Sequence, residues 1–574
     1  MKKIKALKMV FPSLLWAASF AVFVRSLMVG LYDPDLWWHL SAGRWMAENK
    51  AILQQEVFSH TLYGTPWINF EWLSEIFLYG AVRGFGISAI YWGKIFFCLL
   101  ALALLIYSIR KAGARGPWLL LLAWIGFKVL QPRLLERVEL ATLIFMPVFM
   151  ALILRARAAT SSSLRVYPWI FFSLMILWCN LHGGFIYGLA LVVLFNLGAR
   201  WAQERQEYLG MMDRSLVLVL GASLVNPYGP KIYGFLMEHL LQLKGDSFIQ
   251  EWISPGVKDL PVFWFLFILS SLLLVWGLLG RMKEIKFWAI PLVVFAAWGG
   301  SYYRNTALFA FVGLPFLAVL IQRWTDLSPS ASEGATKGAA LLARWKTNGT
   351  LALLGWFLCL LPLNAHAALF KISFPKGIVV PDKVPAGACR FVRDNNLQGL
   401  MFNAYHYGGY IEWDLGPQRK VFQDGRYIFH SLAKEQAALN TELSRGIRNS
   451  RWTATLDKRR VSYAIMDYPL VFVRFVYNNP GFHFSLLNAA FPRSKWALVF
   501  WDDAALVFVR RTPENKAVID KYEARFIWPY NLEQMKYFIN SKTIAKDDVR
   551  RELERHEQEV GRTQIGDQLK ALVN

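Results

Sequence analysis

Long apolar stretches alternate with short polar turns through the first two thirds of the chain. Most of these stretches approach the roughly 20 apolar residues that a helix needs to cross the hydrocarbon core of a bilayer. The pattern therefore predicts about eleven transmembrane helices. Six of the predicted spans cover residues 9–31, 87–107, 117–130, 140–154, 216–224 and 351–369. The other five begin or end at the turns "WCNLHGGF", "RMKEIK", "GGSYYRN" and "IQRWTD".

Two polar segments interrupt this pattern. Residues 32–86 contain the stretches "DLWWHLSAGRWMAE" and "PWINFEWLSEIFLYGAV", in which large apolar side chains recur at helical spacing among polar neighbours. This arrangement is typical of helices that lie flat in a membrane interface, so we expect a first outer loop with interfacial helices. Residues 324–348 are small, polar and basic, which predicts a cytoplasmic linker.

The pattern changes at about residue 371, where short apolar runs begin to alternate with turn signals. "VPAGACRFVRDNN" predicts a helix, "VSYAIMDYP" and "AALVFVRR" predict buried strands, and "KVFQDGR" predicts a strand and a turn. "GLMFNAYHYGGYIEWDL" predicts a strand and a turn, followed by a strand or a helix. The predicted fold class is a mostly α, polytopic membrane protein with a C-terminal soluble α/β domain. We expect a transmembrane domain over residues 1–370, the α/β domain over 371–511 and a charged helical tail over 512–574.

Composition and charge support a membrane protein and indicate its orientation. Hydrophobic residues make up 55% of the 574 residues, and 25 residues are tryptophan, which is unusual for a soluble domain. The net charge of +23 is explained by basic cytoplasmic turns, so we expect no nucleic-acid partner. The basic leader "MKKIKALKMV" predicts a retained signal anchor with a cytoplasmic N-terminus, and an odd number of spans then places the C-terminal domain outside. The four cysteines predict neither a disulfide framework nor a zinc site.

The predicted outer turns carry polar and ionisable groups beside apolar spans. Such groups are costly at membrane depth and indicate a functional site by default. Together they offer carboxylates beside cations, which suits a substrate with an anionic phosphate and a neutral group to be activated. The candidates are Asp33, Asp35, His39, Glu71, Glu75, Arg137, Asn180, His182, Lys231, Tyr303 and Arg304.

Several candidates also have a structural interpretation. Two aspartates around a proline suit a helix terminus, and two glutamates one helical turn apart suit a solvated face. A histidine before two glycines suits a tight turn, and an arginine near the end of a span suits the membrane interface. These alternatives concern Asp33 and Asp35, Glu71 and Glu75, His182, and Arg304. The sequence contains no Walker loop, dinucleotide fingerprint or H-E-x-x-H motif.

The stretch "DPDLWWHLSAGRW" after a first membrane helix resembles the modified DxD motif of the GT-C superfamily of polyprenyl-phosphate-dependent glycosyltransferases. The stretches "WINFEWLSE", "WCNLHGGF", "VNPYGP" and "YYRNTALFA" are similar to a group of bacterial GT-C-like membrane proteins. "FNAYHYGGYIEW" is similar to the WWDYG region of oligosaccharyltransferase catalytic subunits, but it lacks the tryptophan-rich triplet. The resemblance implies a cytoplasmic N-terminus, a catalytic aspartate in a first outer loop with interfacial helices, and a soluble domain outside the membrane.

The resemblance also implies roles for the candidates. One of Asp33 and Asp35 is the general base that activates an acceptor hydroxyl, while a cation stabilises the phosphate that leaves with the lipid. Alternatively, both aspartates bind a divalent cation, Mg²⁺ or Mn²⁺, that neutralises this phosphate. The candidates for binding the donor phosphate are Arg304, Arg137, Lys231 and His182. Those for contacting the acceptor or lining the cavity are His39, Glu71, Glu75, Tyr303 and Asn180.

The predicted function is transfer of a sugar from a polyprenyl-phosphate-linked donor to a glycan, lipid or protein acceptor. We expect the chain in a bacterial inner membrane, among its lipids, with the reaction on the outer side. Two other hypotheses stay open. A transporter or flippase for lipid-linked sugars needs polar groups across the membrane midplane, where the sequence offers little beyond Lys128. A non-catalytic assembly protein for envelope polymers has no need of the paired aspartates.

Overall fold

Two compact units make up the protein in a computed structural model that describes residues 2–242, 250–326, 377–444, 451–468, 472–474 and 483–574. The helical unit comprises Met1–Gly30 and Ile68–Ile378, and the sheet unit comprises Leu31–Trp67 and Val379–Asn574. The N-terminal part of the predicted first outer loop therefore belongs to the sheet unit. The predicted eleventh span, the boundary at residue 370 and the linker beyond residue 326 lie outside the described residues.

Helices α1 to α13 follow one another along the first part of the chain, and all except α2 belong to the helical unit. Proline occupies the first turn of α5, α7 and α11, where its missing N–H is not needed and its fixed φ suits a helix. The helices are α1 (Lys2–Leu27), α2 (Asp35–Asn49), α3 (Trp72–Phe85), α4 (Ser88–Lys111), α5 (Gly116–Leu130), α6 (Leu140–Ala158), α7 (Tyr167–Leu181), α8 (Phe185–Trp201), α9 (Gln206–Ala222), α10 (Lys231–Gln242), α11 (Pro261–Leu279), α12 (Lys283–Ser301) and α13 (Thr306–Asp326).

Several of these helices have the length and composition of membrane spans. Helix α11 exposes Phe265, Ile268, Leu272 and Val275 along its length, and an apolar surface of this kind suits contact with lipid. These features are those of a multi-pass membrane protein. The described residues do not confirm the predicted number of eleven spans. Among the described residues, five segments are long and apolar enough to cross a membrane: Ser88–Lys111, Leu140–Ala158, Ser163–Leu181, Pro261–Leu279 and Tyr303–Asp326. The same part of the chain contains two shorter apolar segments, Ser13–Leu27 and Phe185–Trp201.

Helix α13 forms the centre of the helical unit, because every side chain from Thr306 to Ala318 is buried. It packs against α4, α5, α6, α11 and α12, while α7 packs on α9 and α8 packs on α12. Gly198 allows the backbones of α8 and α12 to approach closely, since a Cβ there would lie 2.3 Å from the carbonyl oxygen of Phe287. Helix α3 buries Ser74 and Glu75.

A four-stranded sheet with the strand order β1-β2-β6-β5 forms the centre of the sheet unit. Strands β1 and β2 are parallel, and β6 pairs antiparallel with β2 and β5. A separate antiparallel pair consists of β3 and β4. The strands are β1 (Leu400–Asn403), β2 (Val461–Met466), β3 (Phe472–Arg474), β4 (His483–Ser485), β5 (Trp496–Trp501) and β6 (Leu506–Arg510). The helices after α13 are α14 (Ala386–Asp394), α15 (Gly408–Leu415), α16 (His430–Ser444), α17 (Arg451–Lys458), α18 (Leu486–Ala490), α19 (Lys516–Tyr522), α20 (Leu532–Asn540), α21 (Lys546–Val560) and α22 (Gln564–Val573).

Both faces of the sheet are covered by apolar clusters, one containing Trp452 and Phe491 and the other containing Val392 and Ile411. Strands buried on both faces are apolar at nearly every position, which is why β2 and β6 were recognisable as buried strands. The tail helices α20 to α22 are also present, and their side chains belong to the first cluster. One continuous core therefore crosses the predicted boundary at residue 511. The residues of these three helices in this core are Met535, Ile539, Val549, Leu553, Leu569 and Val573.

Residues 31–67 are built into the sheet unit. Leu31 forms a parallel bridge with Val379, and Ser59 forms one with Val421. The stretch "KVFQDGR" thus forms an isolated bridge with a loop, which corrects the predicted strand. Helix α2 packs against α15 and buries all of its residues from 36 to 43. Protein covers most of α2, whereas α3 of the helical unit exposes Phe77.

Candidate active site

The Asp-Pro-Asp turn begins α2, and its two carboxylates have different surroundings. Asp33 is 2% exposed, and its Oδ1 accepts a hydrogen bond from the backbone N–H of Asp35 at 2.9 Å. This bond satisfies one of the N–H groups that a helix N-terminus leaves without an intrahelical acceptor. Asp35 is half-buried, and its Oδ1 accepts a hydrogen bond from Trp38 Nε1 at 3.3 Å. Asp33 therefore supports the helix terminus, while the Asp35 carboxylate is oriented by a side chain.

Two glycines allow the backbone to approach this turn closely. A Cβ on Gly409 in α15 would lie 2.8 Å from the backbone nitrogen of Trp38 and 3.0 Å from the carbonyl oxygen of Pro34. A Cβ on Gly425 would lie 2.5 Å from Asp35 Oδ1. Any larger residue at either position would displace the turn or the carboxylate. The glycines of "YHYGGY" and "QDGR" thus help to place the Asp-Pro-Asp turn.

Helix α2 has further fixed contacts within the sheet unit. Arg44 donates hydrogen bonds to the carbonyl oxygens of Glu412 and Trp413, both at 3.1 Å. A cation at the C-terminus of α15 also suits the negative end of that helix dipole. His39, a predicted acceptor-contacting residue, is 3% exposed, and its ring centroid lies 3.5 Å from that of Trp38. His39 is therefore held within the sheet unit beside the residue that orients Asp35.

In the helical unit, His182 occupies a defined network at the start of α8. Its Nδ1 accepts a hydrogen bond from the backbone N–H of Gly184 at 3.0 Å and lies 2.8 Å from Oγ1 of Thr142. Because Nδ1 accepts a backbone N–H, the neutral imidazole carries its proton on Nε2. This Nε2 lies 3.4 Å from Oε1 of Glu71. His182 thus stabilises the glycine turn, as the structural interpretation expected, and faces a carboxylate.

The neighbouring candidates Glu75 and Asn180 are also held by hydrogen bonds. Glu75 is fully buried, and its Oε2 accepts a hydrogen bond from Asn69 Nδ2 at 2.5 Å, so it does not belong to a solvated face. Asn180 donates from Nδ2 to the carbonyl oxygen of Val225 at 2.8 Å and accepts from Trp72 Nε1 at 3.0 Å. Asn180 therefore ties α7 to α3 and to the turn after α9.

Arginines 137 and 304, two predicted phosphate-binding residues, lie with Arg133 around the carboxylate of Glu251. Arg133 is 3% exposed, and its Nη1 lies 2.8 Å from Oε1 of Glu251, which Arg137 also contacts. Burial raises the pKa of Glu251, but the charges of Arg133, Arg137 and Arg304 outweigh burial and bring the pKa down to about 2. The structure thus gathers three guanidinium groups around one carboxylate.

The turn that carries Arg304 is attached to the segment that carries Glu251. The backbone N–H of Tyr303 donates to the carbonyl oxygen of Ile253 at 2.8 Å, and the Arg304 guanidinium lies 4.8 Å from the ring centroid of Trp252. Of the four predicted phosphate-binding residues, Arg137 and Arg304 therefore lie together. Lys231 is exposed at the start of α10, and His182 belongs to the network with Glu71.

Several charged residues near these candidates were not assigned a role from the sequence. Arg133 has a sequence signal, since it lies four residues before Arg137 in the same polar turn. Glu251 has a weak signal in the polar stretch "FIQEWISPG". The third group is a buried ionic cluster in the sheet unit, which no local pattern reveals because Glu56 lies far from the other members in sequence. That cluster consists of Glu56, Glu412, Asp424 and Arg426.

Groups that suit a divalent cation occur in both units. Carboxylate oxygens are the ligands that Mg²⁺ prefers, and Asp33 and Asp35 supply them in the sheet unit. In the helical unit, Glu71 and Glu75 supply them one helical turn apart. These donor types fit the predicted cation, although Asp33 already uses one oxygen to accept the backbone N–H of Asp35.

Comparison with known proteins identifies similar structures but no similar sequences. No family model and no curated protein matches the chain. The archaeal oligosaccharyltransferase AglB from Archaeoglobus fulgidus, in complex with an inhibitory peptide and a dolichol-phosphate, matches with a TM-score of 0.53 and 12% identity. This match covers 80% of the present chain and 70% of AglB.

Two further structures match more distantly. ArnT from Cupriavidus metallidurans in the apo state has a TM-score of 0.45 and 13% identity over 87% of this chain and 98% of its own. The apo form of the Archaeoglobus fulgidus oligosaccharyltransferase has a TM-score of 0.45 and 11% identity, over 77% and 66% of the two chains. AglB and ArnT are both GT-C superfamily membrane glycosyltransferases. The likeness to AglB confirms the predicted resemblance at the level of the fold: this chain has a GT-C fold.

Proposed function

We propose that this chain is a membrane glycosyltransferase that moves a sugar from a polyprenyl-phosphate-linked donor to an acceptor outside the membrane. The observation that carries the proposal is the placement of Asp35. Its carboxylate is oriented by Trp38 and lies against the backbone of Gly425, in a chain with the fold of an oligosaccharyltransferase. A carboxylate held in one orientation is what general base catalysis requires.

In the proposed reaction, the oxygen of an acceptor hydroxyl attacks the anomeric carbon of the sugar, and Asp35 takes the proton of that hydroxyl. A new glycosidic bond forms, the bond between that carbon and the phosphate oxygen breaks, and polyprenyl phosphate leaves. Asp33 keeps the N-terminus of α2 in place, because its Oδ1 accepts the backbone N–H of Asp35. Asp35 is therefore preferred over Asp33 as the base.

The leaving phosphate gains negative charge in the transition state, so a cation placed in advance stabilises it most. We assign this role to the cluster of Arg133, Arg137 and Arg304. Glu251 and Glu139 contact these arginines, so the three arginines and two glutamates together carry a net charge of +1. The cluster is thus already arranged around an anionic group, and a phosphate presents similar oxygen acceptors.

The alternative role for the aspartates is metal binding. In that case Asp33 and Asp35 would hold Mg²⁺ or Mn²⁺, which would supply positive charge to neutralise the donor phosphate. Chelator would then abolish transfer, whereas a general base mechanism would be insensitive to chelator. Titration with EDTA, followed by addition of Mg²⁺ or Mn²⁺, decides between the two roles.

The partners follow from the same proposal. AglB was solved with a dolichol-phosphate and an inhibitory peptide, which supports a lipid-linked donor for the present chain. The acceptor is a glycan, a lipid or a protein. We place the chain in a bacterial inner membrane, with its N-terminus in the cytoplasm and the C-terminal domain outside, because basic turns favour the cytoplasmic side.

A transfer assay on the purified full chain in liposomes tests the proposal. Polyprenyl-phosphate sugars are supplied with candidate acceptors, and release of polyprenyl phosphate is measured. We expect acceptor-dependent release, and Arg304→Gln should raise the KM for the donor on the order of tenfold. Arg551→Gln, exposed on α21, is the matched control and should have no effect. Movement of intact donor between leaflets without cleavage would instead identify a flippase.

A further inference from the structure

The segment Asp424–Gly425–Arg426 forms a wall beside the Asp35 carboxylate, although the proposed chemistry gives it no role. The Cβ that any other residue would add to Gly425 would lie 2.5 Å from Asp35 Oδ1 and 3.7 Å from Trp38 Nε1. Side-chain carbons do not approach an oxygen so closely, so only glycine leaves Asp35 and its Trp38 hydrogen bond undisturbed. Gly425 therefore restricts where the carboxylate lies.

The backbone of this segment is held in place from several sides. The backbone N–H of Arg426 donates to Asp424 Oδ1 at 2.8 Å, and the Tyr405 hydroxyl donates to the carbonyl oxygen of Gly425 at 3.1 Å. Helix α15 also packs directly on the segment, since a Cβ on Gly408 would lie 2.6 Å from Asp424 Cα. The segment cannot move away from Asp35 without breaking these contacts.

Arg426 anchors the segment in a buried ionic cluster. Its Nη1 lies 2.7 Å from Glu56 Oε2, its Nη2 lies 3.1 Å from Glu412 Oε1, and its Nε donates to both oxygens of Asp424 at 2.9 and 3.0 Å. All four residues are between 0 and 3% exposed. The guanidinium also lies 4.7 Å from the ring centroid of Trp67. The cluster joins the loop around Glu56, α15 and the segment beside Asp35.

The net charge of this cluster determines the cost of burying it. One guanidinium faces three carboxylates, and burying three ionised carboxyl groups together would be costly. Burial and the charge of Asp424 raise the pKa of Glu412 well above its ordinary range, while Arg426 keeps the pKa of Asp424 below its ordinary range despite burial. Glu412 therefore binds a proton more readily than an ordinary glutamate, and that proton removes one negative charge from the cluster. The cluster is then closer to neutral, which suits a rigid anchor.

We infer that Asp424, Gly425 and Arg426 form a positioning element for the Asp35 carboxylate, with Gly425 as the wall and Arg426 as the anchor. This inference rests on the proposed function only in its kinetic consequence. A general base must lie within hydrogen-bond reach of the proton it removes, and a displacement of about 1 Å can cost on the order of 10²-fold in rate. Gly425 is thus a positioning residue rather than a catalytic one.

The variant Gly425→Ala tests the kinetic consequence. The added methyl group should displace the Asp35 carboxylate, so we expect kcat to fall on the order of 10²-fold while the KM for the lipid-linked donor stays within about twofold. Gly210→Ala is the matched control, because nothing lies within 4 Å of a Cβ at that helical glycine. A Gly425→Ala enzyme with an unchanged kcat would overturn the inference.

A double-mutant cycle in unfolding temperature tests the contact itself, without any need for activity. Gly425→Ala should lower the Tm of the full chain by several degrees. In an Asp35→Ala background the carboxylate that would clash is absent, so the same change should have little effect on Tm. An equal loss in both backgrounds would contradict a contact between positions 425 and 35. If Gly425→Ala alone does not fold, the double variant should fold, and its failure would count against the inference.

The two experiments separate the inference from the proposed function. If wild-type protein releases no polyprenyl phosphate from any supplied donor, the proposed function fails, and the Tm cycle still decides whether Gly425 positions Asp35. If wild-type protein is active and Gly425→Ala is equally active, the proposed function stands and the positioning role is wrong.

Discussion

Asp33 and Asp35 lie two residues apart, yet their carboxylates accept hydrogen bonds from different kinds of donor. Asp33 Oδ1 accepts a hydrogen bond from the backbone N–H of Asp35. The side-chain oxygen of an asparagine can accept the same hydrogen bond. Asp35 Oδ1 accepts a side-chain donor and faces a glycine backbone. On the proposed base mechanism, we therefore expect the negative charge to matter at Asp35 and to matter little at Asp33.

The first prediction concerns Asp33. Asp33→Asn should change the free energy of unfolding by less than about 0.5 kcal/mol, whereas Asp33→Ala should cost about 1 kcal/mol through loss of the helix-terminus acceptor. Thermal unfolding of the purified variants measures both. If Asp33→Asn abolished sugar transfer while the fold stayed intact, Asp33 would take part in the chemistry, as a metal ligand or as the base.

The second prediction concerns Glu412. Because its folded pKa lies above its ordinary value, the folded state binds this proton more tightly, and stability falls as the pH rises through the folded pKa. Glu412→Gln keeps the shape of the protonated group and should remove this loss of stability at neutral and alkaline pH. Asp424→Asn should destabilise instead, because the charge that balances Arg426 is removed. A Glu412→Gln variant less stable than wild type at pH 8 would contradict the raised pKa of Glu412.

Between elements, the arginine cluster joins the turn before α6, the turn before α13 and the segment around Glu251. Three cations would repel one another without the Glu251 carboxylate. That carboxylate therefore has a structural role before any phosphate binds. It also offsets the repulsion among three guanidinium groups that lie near one another.

The third prediction follows from this carboxylate. The pKa of Glu251 falls from its ordinary value of 4.5 to about 2, so the stability it contributes is present above about pH 4.5 and is lost as the pH falls towards 2. The shift corresponds to about 3 kcal/mol. Glu251→Gln should be less stable than wild type at pH 7 and should lose less stability between pH 4.5 and 2. Parallel pH profiles for the two proteins would contradict the pairing.

Over the whole molecule, the sequence was informative where a pattern is local. Apolar runs predicted helices, and strands buried on both faces predicted β2 and β6, because each signal lies within one segment. Neither the strand β5 nor the packing of α15 on α2 was predicted. Local polarity cannot show that α15 will cover α2.

The same reasoning explains what was missed at the candidate site. Asp33 and Asp35 were visible as a motif, and Arg137 and Arg304 as charges beside apolar spans. The cluster around Arg426 joins Glu56 to residues more than 350 positions away, so only the folded chain brings them together. The requirement for glycine at position 425 likewise depends on a contact with Asp35 that no spacing reveals.

The fourth prediction concerns the orientation of the whole chain. Basic turns favour the cytoplasmic side, so an odd number of spans from a cytoplasmic N-terminus places the C-terminus outside. A reporter that is active only after export, fused after Asn574, should be active in cells. Activity of a reporter that works only in the cytosol at the same position would reverse the orientation.

The most direct test is the rate of sugar transfer by purified Asp35→Asn. Asparagine keeps the oxygen that accepts the Trp38 hydrogen bond, so the fold should be preserved while the charge is lost. We expect kcat to fall on the order of 10²–10⁴-fold with Tm and donor KM unchanged. Asp520→Asn, exposed on α19, is the matched control and should transfer at the wild-type rate. Near-normal turnover by Asp35→Asn would contradict a catalytic Asp35 and leave the Asp-Pro-Asp turn as a helix terminus.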